Sequence, residues 1–229
     1  MNIVVTGASR GIGYQIVKQL LEEGVHRVFA VARSKEGLVS LQKFDKKAAY
    51  TFLTFDLMEE NYSGLVSGIR NNFNKVDVLI NNAGLLINKP LKELTDKDFD
   101  NLFGANVKSA FKLVRELLSY FSRQAHIVNI SSMGGYQGSA KFPGMSLYSA
   151  SKGALAILTE SLAEELKEQN IRVNALALGA VQTEMLEEAF PGYQAAVTAE
   201  EMADFITDFA LKAHSYINGK IIPVSLSTP

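Results

Sequence analysis

Tyr148 and Lys152 form the pair of side chains in this sequence that is best suited to proton transfer. They stand four residues apart, a spacing that places both side chains on one face of a helix. The pKa of a tyrosine is about 10, and a neighbouring ammonium group favours the phenolate and lowers that pKa. We therefore predict that Lys152 brings the pKa of Tyr148 toward the range in which a phenol works as a general acid. Taken alone, the spacing favours a plainer interpretation, a pair on the helix surface with the tyrosine packed on the core.

A glycine-rich segment, TGASRGIG at residues 6–13, lies between an apolar run and an amphipathic run. Glycines permit a tight turn and let a pyrophosphate approach backbone N–H groups, while the following helix directs its positive end at the phosphates. The G-x-x-x-G-x-G spacing differs from the G-x-G-x-x-G of the commoner dinucleotide-binding turn. We predict a dinucleotide site here, and a simple tight connection between strand and helix is the alternative. The predicted contacts are Gly7, Ser9, Arg10, Gly11, Ile12 and Gly13.

The end of the second predicted strand indicates which dinucleotide is bound. An acidic residue at this point would accept a hydrogen bond from the ribose 2′-hydroxyl of NAD, but the first acidic residue is Glu36, beyond the strand. Arg33 stands at the strand end instead, and Arg10 lies in the glycine turn. Two guanidinium groups suit the dianionic 2′-phosphate of NADP, so we predict NADP(H) as the cofactor. Two solvated surface arginines are the alternative.

Asp56 and Leu57 follow the third predicted strand and complete the expected adenosine end of the site. A carboxylate at this position can accept a hydrogen bond from the adenine amino group. It can equally cap the next helix, because Asp is a favoured N-cap residue. The sequence leaves both interpretations of Asp56 open.

Four short segments occur in an order found in a known family: residues 6–13, NNAG at 81–84, NISS at 129–132 and YSASK at 148–152. Together they resemble the motifs of the classical short-chain dehydrogenase/reductase family, and they span most of the chain. The YxxxK pattern is weak alone and becomes specific in combination with the glycine turn and NNAG. The resemblance implies hydride transfer between NADP(H) and a carbonyl or alcohol, with Tyr148 giving its proton to the oxygen.

The resemblance implies roles for further residues. Ser132 would bind the substrate oxygen; because neighbouring strand residues point in opposite directions, only one of Ser131 and Ser132 can do so, and the motif register selects Ser132. Lys152 would also bind the nicotinamide ribose, and Asn106 would hold a water in a proton relay. A buried amide bonded to the backbone is the alternative for Asn106. The remaining implied cofactor contacts are Asn82, Ala83, Gly84 and Thr183.

The sequence departs from the family pattern in three regions. The segment between Ser132 and Tyr148 is longer than usual, and its extra residues, within 136–144, should lie beside the substrate. Leu178 stands where the family commonly has a proline before the glycine. The C-terminal residues 221–226 lack the common Asp-Gly-Gly, which leaves the choice between a homodimer and a homotetramer open.

The motifs look most like those of 3-oxoacyl-carrier-protein reductases and small carbonyl reductases. An acyl carrier protein is acidic and would need a basic patch near the cleft, which the scattered lysines and arginines do not indicate. We therefore predict a small-molecule carbonyl substrate, with 3-oxoacyl-carrier-protein reduction in fatty-acid synthesis as the alternative. A catalytically silent NADP-binding regulatory protein is the alternative from another class, and the intact pair of Tyr148 and Lys152 argues against it.

These residues need a scaffold that brings strand ends together. Short, nearly wholly apolar β-branched runs alternate with amphipathic segments, which favours a parallel sheet covered by helices on both faces. We predict a single doubly wound Rossmann-type α/β domain over residues 1–229 with a seven-stranded parallel sheet. The predicted strands are residues 2–6, 27–32, 50–55, 76–81, 126–131, 172–177 and 220–224. The main predicted helices are residues 13–23, 65–73, 99–121 and 147–169, and residues 134–144 and 190–198 are predicted loops.

Composition narrows the class of protein. A length of 229 residues suits one α/β domain, and a formal net charge of -1 gives no general attraction to nucleic acid or an anionic membrane. The absence of cysteine excludes disulfides and cysteine-based nucleophiles or metal sites, and the three histidines are isolated, so we predict no metal site. No apolar run is long enough to span a bilayer. We expect a soluble, cytoplasmic homodimer or homotetramer that binds neither nucleic acid nor membranes.

Overall fold

Seven runs of aliphatic and β-branched residues form one parallel sheet in the computed structural model, which describes residues 1–226. The strands are β1 (Asn2–Thr6), β2 (Arg27–Ala32), β3 (Tyr50–Thr54), β4 (Val76–Asn81), β5 (Phe121–Ser132), β6 (Arg172–Leu178) and β9 (Ile221–Val224), while β7 (Val181–Gln182) and β8 (Val197–Thr198) pair separately. The order across the large sheet is β3-β2-β1-β4-β5-β6-β9, and all its pairs are parallel. Residues 227–229, which the predicted domain includes, lie outside the described residues.

Helices cover both faces of this sheet. They are α1 (Gly11–Glu23), α2 (Lys35–Ser40), α3 (Ser63–Asn72), α4 (Asp96–Phe103), α5 (Ser109–Leu117), α6 (Ser146–Glu165), α7 (Glu184–Ala189) and α8 (Ala199–Lys212). Ile3 and Val5 of β1 pack with α1 and α8 on one face, whereas Val4 packs with α3, α5 and α6 on the other. This alternation follows from the two-residue period of a strand and confirms the predicted doubly wound α/β fold. Within residues 1–226, no helix is both long and apolar enough to cross a membrane.

The single helix predicted over residues 99–121 is wrong. The chain instead forms the end of α4, a π-helical turn at Gly104–Lys108, α5 and a 3-10 turn at Leu118–Tyr120. Gly104 and Asn106 are both poor formers of α-helix, and a π-helical turn takes up one extra residue without ending the helical path. The hydrophobic pattern continues through such a turn, so the sequence does not reveal it.

Strand β5 begins five residues earlier than predicted. Phe121 pairs with Val76 at the start of β4, and the register then shifts before His126 pairs with Val78. Gln124, in between, has a φ of 72°, a left-handed conformation that is unusual for a residue other than glycine. The buried ring of Phe121 explains why the strand starts there. The helix predicted to end at residue 169 ends earlier, because α6 closes at Glu165 and a 3-10 turn follows.

The segment after β6 contains more regular structure than predicted. Residues 190–198 are a predicted loop, but Val197–Thr198 forms β8, which pairs with β7. Ala195 N–H also donates to the side-chain oxygen of Gln182 (2.8 Å), so the two ends of the segment between β7 and β8 are joined. Helix α7 lies between β7 and β8 and is not among the predicted helices.

Candidate active site

The carboxyl ends of the central strands face one cavity of about 1180 Å³. Ligands of open parallel α/β sheets bind at these ends, where the loops diverge. All predicted site residues line the cavity except Gly13 and Asn106. The structure therefore brings together residues that the sequence places in segments from β1 to α7.

The glycine turn is packed so tightly that Gly13 leaves no room for a side chain. A Cβ there would lie 2.4 Å from the main-chain oxygen of Gly7 and 2.5 Å from Nδ2 of Asn82. Asn82 Nδ2 donates to the main-chain oxygens of Thr6 (3.0 Å) and Gly7 (3.3 Å). The Thr6 hydroxyl accepts from the N–H groups of Asn82 and Ala83, both at 3.1 Å. Asn82 and Ala83 thus hold the glycine turn in shape as well as lining the cavity.

A chain of buried polar groups links the central strands to α6. Asn81 Nδ2 donates to Oδ1 of Asn129 (2.8 Å), and Asn129 Nδ2 donates to the hydroxyl of Thr159 (2.9 Å). Thr159 in turn donates to the main-chain oxygen of Leu155 (2.8 Å). Buried groups that are mutually satisfied in this way fix one arrangement of their elements. These hydrogen bonds hold α6, and with it Tyr148, against β4 and β5.

Tyr148 and Lys152 lie on the face of α6 that turns toward the cavity, and both are almost fully buried. The Lys152 ammonium donates to the main-chain oxygen of Ile130 (2.9 Å) near the end of β5. Its nitrogen is 5.9 Å from the centre of the Tyr148 ring. The pair is not on the helix surface, so the plainer interpretation of its spacing is wrong.

The predicted effect of Lys152 on its neighbour is also wrong in this structure. Burial raises the pKa of Tyr148, and a side-chain hydrogen bond with Ser132 opposes that rise only in part. Burial lowers the pKa of Lys152 to about 8. Removal from water penalises both charged forms, and the sequence does not show how deeply the pair is buried. The phenol is therefore held in its protonated form.

The two adjacent serines at the end of β5 have different partners. The side chain of Ser132 lowers the pKa of Tyr148, and its hydroxyl accepts from the N–H of Gly134 at 3.1 Å. Ser131 is buried and donates to the main-chain oxygen of Lys152 at 2.9 Å. Their opposite directions follow from strand alternation. The structure places the hydroxyl of Ser132, and not that of Ser131, beside the phenol.

Asn106 lies behind the cavity wall in the π-helical turn. Its Oδ1 accepts from Leu85 N–H (2.7 Å), and its Nδ2 donates to the main-chain oxygen of Leu85 and to the hydroxyl of Ser151, both at 2.9 Å. A Cβ on Gly84 would lie 3.1 Å from Asn106 Oδ1 and 3.2 Å from Lys152 Nζ. Asn106 is thus a buried amide that fixes the loop after β4 close to Lys152. Its predicted water relay stays a prediction.

At the adenosine end, Arg33 is exposed on the rim of the cavity. Asp56 Oδ1 accepts from the N–H of Met58 (3.0 Å) and closes a turn. Asp56 is not a helix cap, because α3 begins only at Ser63. Leu57 lines the cavity, and its main-chain oxygen accepts from the hydroxyl of Tyr62 at 2.6 Å. The adenine contact of Asp56 remains a prediction.

Helix α7 forms a wall of the cavity. Thr183 caps its N-terminus by accepting from the N–H of Leu186 (3.2 Å), and Met185 and Leu186 line the cavity. A threonine followed by acidic residues is a signature of a helix start, so the sequence contained a signal for α7. Arg10 of the glycine turn is bound to Glu188 of this helix, with 2.5 Å between Nη1 and Oε1. No local sequence pattern predicts that pairing.

The sequence is similar to those of known proteins. The family model described as short chain dehydrogenase matches residues 1–194. The chain is 32% identical over 235 residues to 3-oxoacyl-(acyl-carrier-protein) reductase FabG of Rickettsia bellii, covering 97% of this chain and 94% of that protein. It is also 32% identical over 199 residues to cyclopentanol dehydrogenase of Comamonas testosteroni, covering 85% of this chain and 78% of the relative.

Solved structures share the fold of this chain. The 3-ketoacyl-(acyl-carrier-protein) reductase from Brucella melitensis complexed with NADH superimposes with a TM-score of 0.86 at 26% identity, over 98% of this chain and 96% of that one. A Serratia marcescens short-chain dehydrogenase/reductase mutant has a TM-score of 0.87 at 27% identity, with coverage of 98% and 96%. With the family model matching residues 1–194 and relatives at 32% identity over nearly the whole chain, the chain belongs to the short-chain dehydrogenase/reductase family of oxidoreductases.

Proposed function

We propose that this protein reduces a small, uncharged carbonyl compound with NADPH, and that Tyr148 gives its proton to the carbonyl oxygen. The observation that carries the proposal is the meeting of three side chains at one end of the cavity. Tyr148, Ser132 and Lys152 line that end, while the glycine turn and Arg33 line the other. One continuous cavity therefore connects a nucleotide-binding end with an acid.

The residues at the nucleotide end fit a dinucleotide. Helix α1 begins at Gly11 with no side-chain cap, which leaves its first-turn N–H groups to bind a pyrophosphate. The close packing around Gly13 brings the backbone of the turn to the cavity wall. Arg10 and Arg33 at this end, with no acidic residue at the end of β2, favour a cofactor that carries a 2′-phosphate.

The chain's own residues supply position and proton transfer. The nicotinamide cofactor would supply the hydride. Because burial raises its pKa, Tyr148 keeps its proton at neutral pH and can donate it to an oxygen on which negative charge develops. The Ser132 hydroxyl lies beside the phenol and stabilises the same charge. Lys152, with a pKa of about 8, is largely an ammonium at pH 7 and adds positive charge near the reacting atoms.

The wall around Tyr148 favours an apolar substrate. Tyr148 belongs to a cluster with Met145 and Leu102, against which Leu85 and Phe190 pack. The charged side chains that line the cavity are Arg10, Arg33, Asp56, Lys152 and Glu184. Of these, only Lys152 lies on α6 beside Tyr148, and the buried carbonyl of Ile130 engages it. A carboxylate or phosphate on the substrate would lose its water without gaining a free cation as partner.

The alternative of 3-oxoacyl-carrier-protein reduction is supported by the relatives that carry this name. It would require a positively charged surface around the cavity mouth for the acidic carrier protein. A catalytically silent NADP-binding regulatory protein is the second alternative. The cytoplasmic location and the homodimer or homotetramer remain predictions, the latter to be checked by light scattering on the purified protein.

A panel of substrates tests the proposal. We expect NADPH oxidation with cyclic and aromatic ketones, aldehydes or quinones, and slower turnover with keto acids of equal size. Faster turnover of a 3-oxoacyl thioester on its carrier protein than of any free ketone would favour the first alternative. NADPH binding without turnover of any compound would favour the regulatory protein.

A further inference from the structure

Arg10, which the proposed function assigns to the 2′-phosphate, already has an anionic partner in the chain. Its Nη1 lies 2.5 Å from Oε1 of Glu188 and its Nη2 lies 3.3 Å from Oε2, so both carboxylate oxygens face the guanidinium group. The partners are 178 residues apart in sequence and connect the glycine turn to α7. The pair raises the pKa of Arg10 and lowers that of Glu188, as expected for two charges that stabilise each other.

Helix α7 does not depend on this pair for its position. Asn88 Nδ2 donates to the main-chain oxygen of Ala189 (3.0 Å), and Glu187 accepts from the N–H of Gly192 (3.0 Å). Thr183 caps the other end of the helix, and a Cβ added to Gly11 would lie 3.4 Å from Cγ2 of Thr183 and 3.5 Å from Oε2 of Glu184. The Glu188 carboxylate can therefore leave Arg10 while α7 stays beside the cavity.

The two anions that suit Arg10 compete with each other. Glu188 occupies the edge formed by Nη1 and Nη2, so a phosphate must either displace the carboxylate there or bind at the remaining Nε edge. A phosphate dianion beside the Glu188 carboxylate would also place like charges in contact. A cofactor without the 2′-phosphate does not need Arg10 as a partner and leaves the ion pair between Arg10 and Glu188 intact.

We propose that Glu188 is a specificity-determining residue that competes with the 2′-phosphate of NADP(H) for Arg10 and so narrows the preference for NADP(H) over NAD(H). This inference rests on the proposed function, because it requires Arg10 to bind the phosphate. It assigns Glu188 an effect on one cofactor and none on the other. A prediction from Arg10 and Arg33 alone would then overestimate the preference for NADP(H) over NAD(H).

Fluorescence titration of NADPH and NADH at low ionic strength tests this competition. Glu188→Gln should lower the Kd of NADPH about 2- to 5-fold, the range that corresponds to an exposed ion pair, and leave the Kd of NADH unchanged. Glu187→Gln is the matched control, since it removes the same charge from the same helix and keeps an oxygen that can accept from Gly192. The control should change neither Kd.

A double-mutant cycle with Arg10→Ala separates the possible outcomes. Arg10→Ala should raise the Kd of NADPH, and adding Glu188→Gln to it should have no further effect. The competition is overturned by an unchanged NADPH Kd in Glu188→Gln, by equal tightening of both cofactors, by tightening in the control, or by tightening that persists without Arg10. An NADPH Kd that is unchanged in Arg10→Ala overturns the phosphate assignment itself, and the competition with it.

Discussion

The hydroxyl of Ser131 donates a hydrogen bond to the main-chain oxygen of Lys152 at 2.9 Å. The Lys152 ammonium donates a hydrogen bond to the main-chain oxygen of Ile130, next to Ser131 on β5, also at 2.9 Å. The end of β5 and the first part of α6 are thus joined in both directions. Because Ser132 follows on β5 and Tyr148 precedes on α6, this junction holds the two hydroxyl groups next to each other. The longer loop between them does not have to position either one.

Substituting the two serines should separate catalysis from stability. Ser132→Ala removes the hydroxyl beside Tyr148 and should lower kcat about 100-fold or more, the scale found for loss of one donor to a developing oxyanion. The Tm should fall only slightly, through loss of the acceptor for the Gly134 N–H. Ser131→Ala removes one buried hydrogen bond to the main-chain oxygen of Lys152 and should lower the free energy of unfolding by about 0.5–1.5 kcal/mol. Steady-state kinetics and thermal unfolding distinguish the two. A larger loss of kcat in a well-folded Ser131→Ala protein would reverse the assignment.

Arg33→Asp should shift the cofactor preference from NADPH toward NADH. The side chain is exposed on the cavity rim, so its replacement should not disturb the fold. The substitution removes a partner of the 2′-phosphate and adds an acceptor for the 2′-hydroxyl of NADH. We expect the ratio of kcat/KM with NADPH to kcat/KM with NADH to fall about 10-fold or more. Lys35→Asp makes the same change of charge two residues away, outside the cavity lining, and serves as the control. The same ratio in Arg33→Asp and the wild type would refute the role of Arg33.

Gly13→Ala should abolish cofactor binding and lower stability. Its Cβ would meet the main-chain oxygen of Gly7 at 2.4 Å, and a main-chain atom of the turn cannot move aside as a flexible side chain can. Gly64→Ala in the first turn of α3 is the control, because its Cβ would meet nothing within 4 Å. We expect the control to keep the Kd of NADPH and the Tm of the wild type or slightly better. A Gly13→Ala protein that binds NADPH normally would show that the turn is not the binding surface.

Stability should fall as the pH drops below about 6.5, chiefly through His126. This side chain is fully buried, its ring nitrogens contact the oxygen of Ala210 and the amide of Asn174, and burial lowers its pKa to about 4. A histidine whose pKa is depressed on folding binds fewer protons in the folded state, so its stabilising effect is complete above pH 6.5 and is lost toward pH 4. The loss should reach about 3 kcal/mol, the free energy that corresponds to lowering the pKa of His126 from 6.5 to about 4.

Denaturant unfolding at several pH values between 4 and 8 measures how steeply the free energy of unfolding changes with pH. His126→Gln should reduce this slope, even if that protein is less stable at pH 7. The half-buried His26 has a pKa that is lowered in the same direction, and His26→Gln should retain most of the slope. An identical slope in His126→Gln and the wild type would exclude His126 as its source.

The elements that depend on short-range pattern were predictable, and those that depend on distant contacts were not. The strands could be predicted from apolar runs, and the opposite directions of Ser131 and Ser132 from strand alternation, because both are set within a few residues. The selection of Ser132 over Ser131 came from the resemblance to the family motif. The π-helical turn around Asn106 was missed because the hydrophobic pattern runs on through it. The pKa of Tyr148 was predicted in the wrong direction because its burial depends on the packing of Met145, Leu102 and their neighbours. The pairing of Arg10 with Glu188 spans 178 residues, so the residues next to either partner do not indicate it.

Tyr148→Phe decides whether Tyr148 is the proton donor. The substitution removes the one hydroxyl that is proposed to donate the proton and keeps the ring that packs against Met145 and Leu102. With the best substrate of the panel, we predict that kcat falls at least about 100-fold while the Kd of NADPH stays within a factor of two of the wild type, since general acid catalysis contributes about 100- to 10,000-fold. Turnover near the wild-type value in the Tyr148→Phe protein would contradict the account.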